Sequence, residues 1–142
     1  MIKIEQLENV TTKAVEELNM LMPQLSSSGK QITYADLLAV LKDPNTTLMI
    51  VKEAGNIIGM GTLVQISIVT GHYGILEDIV VDEKYRGQGI GKQLCEKLIQ
   101  LAREHKLEWL ELTSRPTRVV ANTLYPKLGF KKKETNVYEL EL

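Results

Sequence analysis

Arg86-Gly87-Gln88-Gly89-Ile90-Gly91 is the stretch on which the reading of this chain turns. It follows an apolar strand pattern, Ile75 to Val81, and opens a helical pattern, Lys92 to His105. Glycine adopts positive φ without a steric penalty and lets the backbone pass close to a ligand. The free N–H groups of a helix's first turn point outward and carry the positive end of the helix dipole. A turn of this composition suits an anion, with a phosphate or pyrophosphate as its natural occupant.

Spacing narrows the ligand. A P-loop needs four residues between its glycines and then Gly-Lys-Ser/Thr. Here Gly87 and Gly91 enclose three, and Lys92 is followed by Gln93. A dinucleotide fingerprint begins almost directly after its strand, whereas Asp82, Glu83, Lys84, Tyr85 and Arg86 intervene in this chain. The acidic residue that should follow about 20 positions on would be Glu111, which sits inside a strand pattern rather than at its end. The P-loop is rejected, and the dinucleotide reading fits poorly.

The stretch from Glu77 to Gly91 closely resembles the acyl-CoA site of the GNAT superfamily of N-acyltransferases, whose signature is Arg/Gln-x-x-Gly-x-Gly/Ala after a strand. Arg86, Gly89 and Gly91 fill its three fixed positions. A second segment, Ala121-Asn122-Thr123-Leu124-Tyr125-Pro126-Lys127-Leu128-Gly129-Phe130, is similar to the family's Ala-rich helix ending Leu-Tyr-x-x-Leu-Gly-Phe. The two lie at the family's usual separation, and the order of elements matches over essentially the whole chain. The resemblance implies one α/β (α+β) domain over residues 1–142: a central mixed, mostly antiparallel sheet, splayed between its fourth and fifth strands and flanked by about four helices. It also implies an enzyme moving acetyl from acetyl-CoA, its cosubstrate, to a primary amine by direct attack in a ternary complex. The alternative is a non-catalytic acyl-CoA-binding module of the same fold, acting as a sensor or partner domain.

Composition sets the bounds. A chain of 142 residues, 44% hydrophobic and 25% charged, can bury one substantial core. Its net charge of −1 provides no general attraction to nucleic acid or to an anionic membrane. No apolar run approaches the ~18 residues of a spanning helix, and Met1-Ile2-Lys3-Ile4-Glu5 alternates like a strand rather than a signal peptide. Cytoplasmic location is the expectation, with a small-molecule or protein amine as acceptor; a homodimer is compatible with it. The lone Cys95 cannot form an intramolecular disulfide, and it falls among Ile90, Leu94, Leu98, Leu101 and Ala102 at helical spacing. It reads as a small core hydrophobe rather than a nucleophile. Neither Cys-x-x-Cys nor His-x-x-x-His occurs, so no metal site is expected.

Along the chain, residues 2–7 predict a strand and Thr11 to Leu25 a helix capped by Thr11 or Thr12, with Val15, Leu18, Met22 and Leu25 on one face. Ser26 to Lys30 reads as a loop, and Thr33 caps a short helix through Leu41 that Asp43-Pro44 ends. Strands over Thr47 to Lys52 and Ile57 to Ile68 are joined at Gly55-Asn56, and the next strand, Ile75 to Val81, is apolar enough to be covered on both faces. The Lys92 to His105 helix leads into Leu107 to Thr113, a crossover that makes these two strands parallel neighbours. Thr117 is expected to cap a helix to Leu128, Gly129 to end it, and Lys131 to Leu142 to return as a last strand.

Site roles follow from the resemblance. Ile79, Val80 and Val81 would border the pantetheine arm, which bonds like an extra strand to the backbone of the fourth strand, and Gly87, Gln88, Gly89, Ile90, Gly91 and Lys92 would cradle the pyrophosphate. Amide formation requires a neutral amine, a stabilised oxyanion and a proton for the leaving thiolate. A lysine-like amine is only about one part in 2,500 neutral at pH 7, leaving roughly 4 to 5 kcal/mol for the enzyme to offset. Glu77 stands where many relatives place a glutamate base, while Asp78, on the opposite face of a regular strand, and a water chain remain open as alternatives. Tyr125 matches the tyrosine whose hydroxyl sits near the CoA sulfur. Where many members carry asparagine seven residues before that tyrosine, this chain has Arg118, so Arg118 and Asn122 are the candidates for that cofactor contact. His72 could face the acceptor, Trp109 reads as core, and Lys131-Lys132-Lys133 as a solvated strand edge.

Overall fold

A computed structural model describes residues 1–142. Strand β1 (Ile2–Gln6) precedes helix α1 (Thr12–Leu25), whose N-cap Thr11 accepts a 3.0 Å bond from the Ala14 N–H. Helix α2 (Tyr34–Lys42) starts with a full capping box, Thr33 and Asp36 each accepting from the other's backbone N–H. The Asn19 side chain clasps both the N–H and the C=O of Ile32, pinning the loop between the two helices. No helix is long and apolar enough to cross a membrane.

Strands β2 (Thr46–Glu53), β3 (Asn56–Ile68) and β4 (Gly71–Val81) form an antiparallel meander. A 3-10 turn at Glu83–Tyr85 then leads into helix α3 (Ile90–Glu104), strand β5 (Leu110–Glu111) and helix α4 (Val119–Lys127). The sheet order is β1-β2-β3-β4-β5, and only β4 and β5 are parallel. One core lies under α1 and α2, around Leu18, Leu21, Leu37, Ile50 and Val80. The other lies under α3, around Leu63, Leu76, Leu94 and Leu98. The sheet is thus covered on both faces, and its long central strands are buried for most of their length.

The mixed sheet with four helices is the expected architecture, and several local boundaries differ from expectation. The hairpin turns at Ala54-Gly55, both at positive φ, one residue before Gly55-Asn56, because Asn56 already pairs with Glu53. Strand β4 starts at Gly71 rather than Ile75, zipped to β3 by a tight hairpin. Helix α3 begins at Ile90, two residues ahead of Lys92. Thr117 does not cap α4; its carbonyl accepts from the Val119 N–H, and Arg118 holds the cap position without a side-chain bond. Trp109 is 37% exposed and stacks on Tyr73 with ring centroids 4.7 Å apart, so it belongs to the rim of the sheet rather than the core. Lys131 to Leu142 forms no strand: its alternation is real, but a strand needs a partner edge, and no ladder includes these residues.

Candidate functional site

The site is made by the end of a ladder. β4 and β5 pair at Gly74↔Leu110 and Ile75↔Glu111 and then part, so residues 76–81 of β4 present a free edge on that side. The parting coincides with a bulge. Thr62 faces Glu77 and Met60 faces Val80, so Asp78 and Ile79 together oppose Gly61 alone. Asp78 takes φ +53, a left-handed conformation that Asp tolerates better than most residues.

The bulge resolves which carboxylate faces where. Leu76 and Ile79 pack toward the α3 core and Val80 toward the α1/α2 core. Glu77, next to Leu76, therefore projects from the α1/α2 side, and Asp78 is the extra residue that belongs to neither alternation. Both side chains reach solvent. Partial burial against the sheet raises the Glu77 carboxyl, and the neighbouring Asp78 charge raises it further. Burial alone raises Asp78. These are directions suited to a proton acceptor working near neutrality.

The glycine turn leaves its backbone uncovered. Gly87 and Gly89 take φ +80 and +77, and a Cβ at Gly87, Gly89 or Gly91 would meet nothing within 4 Å. Gly89 caps α3 with no side-chain bond, so the first-turn N–H groups around Ile90, Gly91 and Lys92 face outward without a side-chain acceptor. Gln88 lies between the two positive-φ glycines, and Lys92 makes only a long exposed pair with Glu96, 3.7 Å. The Arg86 side chain is engaged with its surroundings: its Nε donates to the Val81 carbonyl at 3.0 Å and its Nη2 to Gln24 Oε1 at 3.4 Å, tying the start of the turn to β4 and α1. Gln24, in the last turn of α1, also accepts from the Glu83 N–H at 2.8 Å. Sequence reading misses Gln24, since a glutamine 62 residues upstream of Arg86 carries no local signal.

Across the gap, α4 contributes Tyr125 and Arg118. Tyr125 is 8% exposed and meets the Phe130 ring edge-on at 5.9 Å. Burial raises its phenol, the nearby Cys95 adds to the rise, and Arg118 opposes it. Arg118 Nη2 donates to the Ile79 carbonyl at 3.3 Å, spanning from the start of α4 to the free edge of β4. Asn122 points elsewhere: its amide donates to the Arg115 carbonyl at 2.8 Å and ties down the loop before α4. Ser114 Oγ, on the diverging end of the β5 segment, is buried with no hydrogen-bond partner.

The structure thus gathers Ile79, Arg118 and Tyr125 around one gap, with Glu77 and the glycine turn at different points along β4 and its exit. His72 lies at the closed end, where its carbonyl accepts from the Glu108 N–H at 2.9 Å, away from the gap. Cys95 is wholly buried and its thiol is pushed up to about 11, which makes it inert as a nucleophile. No group of three or more His, Cys, Asp or Glu side chains is placed to hold a metal ion.

Comparison with known proteins adds the following. Residues 12–130 match the model of the acetyltransferase (GNAT) family. The chain is 30% identical over 98 residues to an uncharacterised N-acetyltransferase, YobR of Bacillus subtilis strain 168; the match covers 69% of this chain and 38% of that relative's length. A putative acetyltransferase from Agrobacterium tumefaciens strain C58 superposes with a TM-score of 0.85 at 20% identity, over 98% of this chain and 99% of that one. AAC(6′)-Iy, solved with the bisubstrate analogue CoA-S-monomethyl-acetylneamine, superposes with a TM-score of 0.81 at 20% identity, over 100% and 99% of the two chains.

Proposed function

Because the chain belongs to the acetyltransferase (GNAT) family, we propose that it transfers acetyl from acetyl-CoA to a primary amine by direct attack in a ternary complex. The observation that carries the reading is the free edge of β4 past Ile75, running from Glu77 toward a glycine turn whose helix has no side-chain cap. The AAC(6′)-Iy ligand joins CoA to an acetylated amine in one molecule, which supports donor and acceptor sharing a site of this fold.

The residues present fit the cosubstrate. Open glycines and outward N–H groups match a pyrophosphate, an unpaired strand edge matches an amide-bearing arm, and the orphaned Ser114 hydroxyl provides an unmet polar contact. Bound acetyl-CoA would supply an activated thioester. The backbone of Gly87 to Lys92 would hold the phosphates, and the edge of Ile79 to Val81 would bond the arm as it would another strand. Arg118 would release the Ile79 carbonyl and turn its charge to the ligand. Glu77, projecting from the α1/α2 side, would take the amine's proton, and the Tyr125 hydroxyl would return one to the departing sulfur. A reducing, cytoplasmic setting fits a chain whose one thiol is buried.

The acceptor remains a class: small amines, amino acids or a protein N-terminus reaching the Glu77 side. A thiol-release assay with acetyl-CoA across a panel of such amines tests the reading. Amine-dependent release is expected. Tight acetyl-CoA binding with no release from any amine would favour the non-catalytic module instead.

A further inference from the structure

The segment that feeds the glycine turn is held from outside by one side chain. Every backbone N–H from Asp82 to Arg86 has an acceptor within the protein. Asp82 donates to the Ile58 carbonyl, Lys84 to the Asp82 side chain, Tyr85 to the Asp82 carbonyl and Arg86 to the Glu83 carbonyl, while Glu83 donates to Gln24 Oε1 at 2.8 Å. From Gly87 to Lys92 no N–H has an acceptor, and bonding resumes at Gln93, which donates to the Gly89 carbonyl. Closed backbone thus gives way to open backbone between Arg86 and Gly87. The bonds of Lys84, Tyr85 and Arg86 are local and would travel with the turn if it rotated. Asp82 is tied to β3 and Glu83 to α1, so Gln24 is the outside contact that fixes how the turn leaves the sheet.

Gln24 has a firm mount and a specific chemistry. It is half-buried, and Pro23 fixes φ directly before it. Leu21 belongs to the same core as Val80 of β4, and Met22 and Leu25 pack against that core, so the helix end and the strand end move as one body. No carboxylate lies within ion-pair distance of Arg86, whose acceptors are the Val81 carbonyl and the Gln24 amide oxygen. An amide oxygen orients a guanidinium without cancelling its charge, as a carboxylate in its place would. We infer that Gln24 is a positioning residue for the diphosphate of the acetyl donor. It holds the start of the turn so that the open N–H groups of Gly87 to Lys92 converge on one anion, and it leaves the Arg86 charge uncompensated beside them. The inference rests on the acetyl-CoA reading above, and it is separable from that reading because Gln24 acts only on the part of the donor that carries phosphate.

Calorimetric CoA binding, and rates with two acetyl donors, test this on the parent, Gln24→Met and Gln24→Glu, with circular dichroism melts to confirm folding. Gln24→Met keeps the side chain's length and removes the acceptor. Its CoA affinity should fall about tenfold, the scale of one hydrogen bond to a charged group. KM for acetyl-CoA should rise in step while kcat holds. With S-acetylpantetheine, which lacks the diphosphate, kcat/KM should match the parent's. In the unliganded protein the Glu83 amide should exchange with solvent faster in Gln24→Met and stay protected in Gln24→Glu, whose carboxylate still accepts. Gln24→Glu should nevertheless bind CoA less tightly, with a shallower dependence on salt, because it pairs with Arg86. Parental CoA affinity in folded Gln24→Met overturns the inference and leaves the acetyl-CoA reading standing. An equal loss with both donors overturns it by showing a general structural role, and parental affinity in Gln24→Glu overturns the part given to a neutral amide. A parent that binds no CoA defeats the acetyl-CoA reading and this inference with it.

Discussion

In Glu77, the proposed base, stability and proton transfer pull in opposite directions. Partial burial and the Asp78 charge raise its folded pKa above the unfolded value. The native state therefore keeps this proton to higher pH than the unfolded chain does, and stability falls as pH rises through the interval between the two values. Glu77→Gln removes the charge and that loss. Calorimetric melts should show it at least as stable as the parent at pH 7, with the advantage vanishing below about pH 4. With a good acceptor its kcat should fall 10² to 10⁴-fold and recover in part at high pH, where the amine is already neutral. A parental rate and profile would remove Glu77 as the base. Tyr125→Phe should cost less and matter least when the leaving thiol is most acidic. Arg118→Met should leave the fold intact but alter acetyl-CoA affinity, since it frees the Ile79 carbonyl and removes a cation from the same gap. At this scale the placement of Glu77 on β4 and of Tyr125 on α4 is legible because each sits in register with a motif. Asn122 is not, since sequence shows that it shares a helical face with Arg118 but not that its amide is already engaged by Arg115.

Elements are legible where a single residue decides them. Thr11 and Thr33 announce their helices, and Gly87 and Gly89 take the positive φ that the turn demands. Gly89→Val is therefore strained at φ +77 whatever the free space, and its side chain would stand in the anion nest. CoA affinity measured by calorimetry should fall far more than the melting temperature; unchanged affinity in a folded variant would move the phosphate site elsewhere. Close approach is harder to read. A Cβ at Gly74 would meet Leu63, Leu107 and Leu110 side chains at 2.8 Å each, so this glycine lets β4 and β5 touch where the sheet is still closed. Gly74→Ala should destabilise by about 1 to 3 kcal/mol in denaturant titrations. The final strand fails as an expectation because alternation reports which side chains want cover, while the covering edge lies outside what a chain segment can encode about itself.

For the molecule as a whole, ligand linkage gives the simplest measurement. Acetyl-CoA at a hundred times its dissociation constant should stabilise the fold by about 2.7 kcal/mol, a rise of roughly 5 to 10 °C in melting temperature. No shift together with no calorimetric binding would defeat the cosubstrate assignment. The parallel pairing of β4 with β5 is readable in advance because strand, glycine turn, helix and strand make a right-handed crossover, and the rest of the sheet is what the family resemblance implies; the acceptor proposed for the Glu77 side is not readable, since α1, α2 and their loop follow packing needs common to many substrates. The bulge at Asp78 has one more consequence, which concerns parity. With Asp78 deleted, Leu76, Glu77, Ile79, Val80 and Val81 would alternate without interruption, each still aimed at the core it now fills, and Gly61 would oppose Ile79 alone. Neither core requires that residue, so a shortened chain should fold at least as firmly as the parent. What it should forfeit is the bend, letting the two parallel strands zip past Ile75 and Glu111 and leaving acetyl-CoA nowhere to enter.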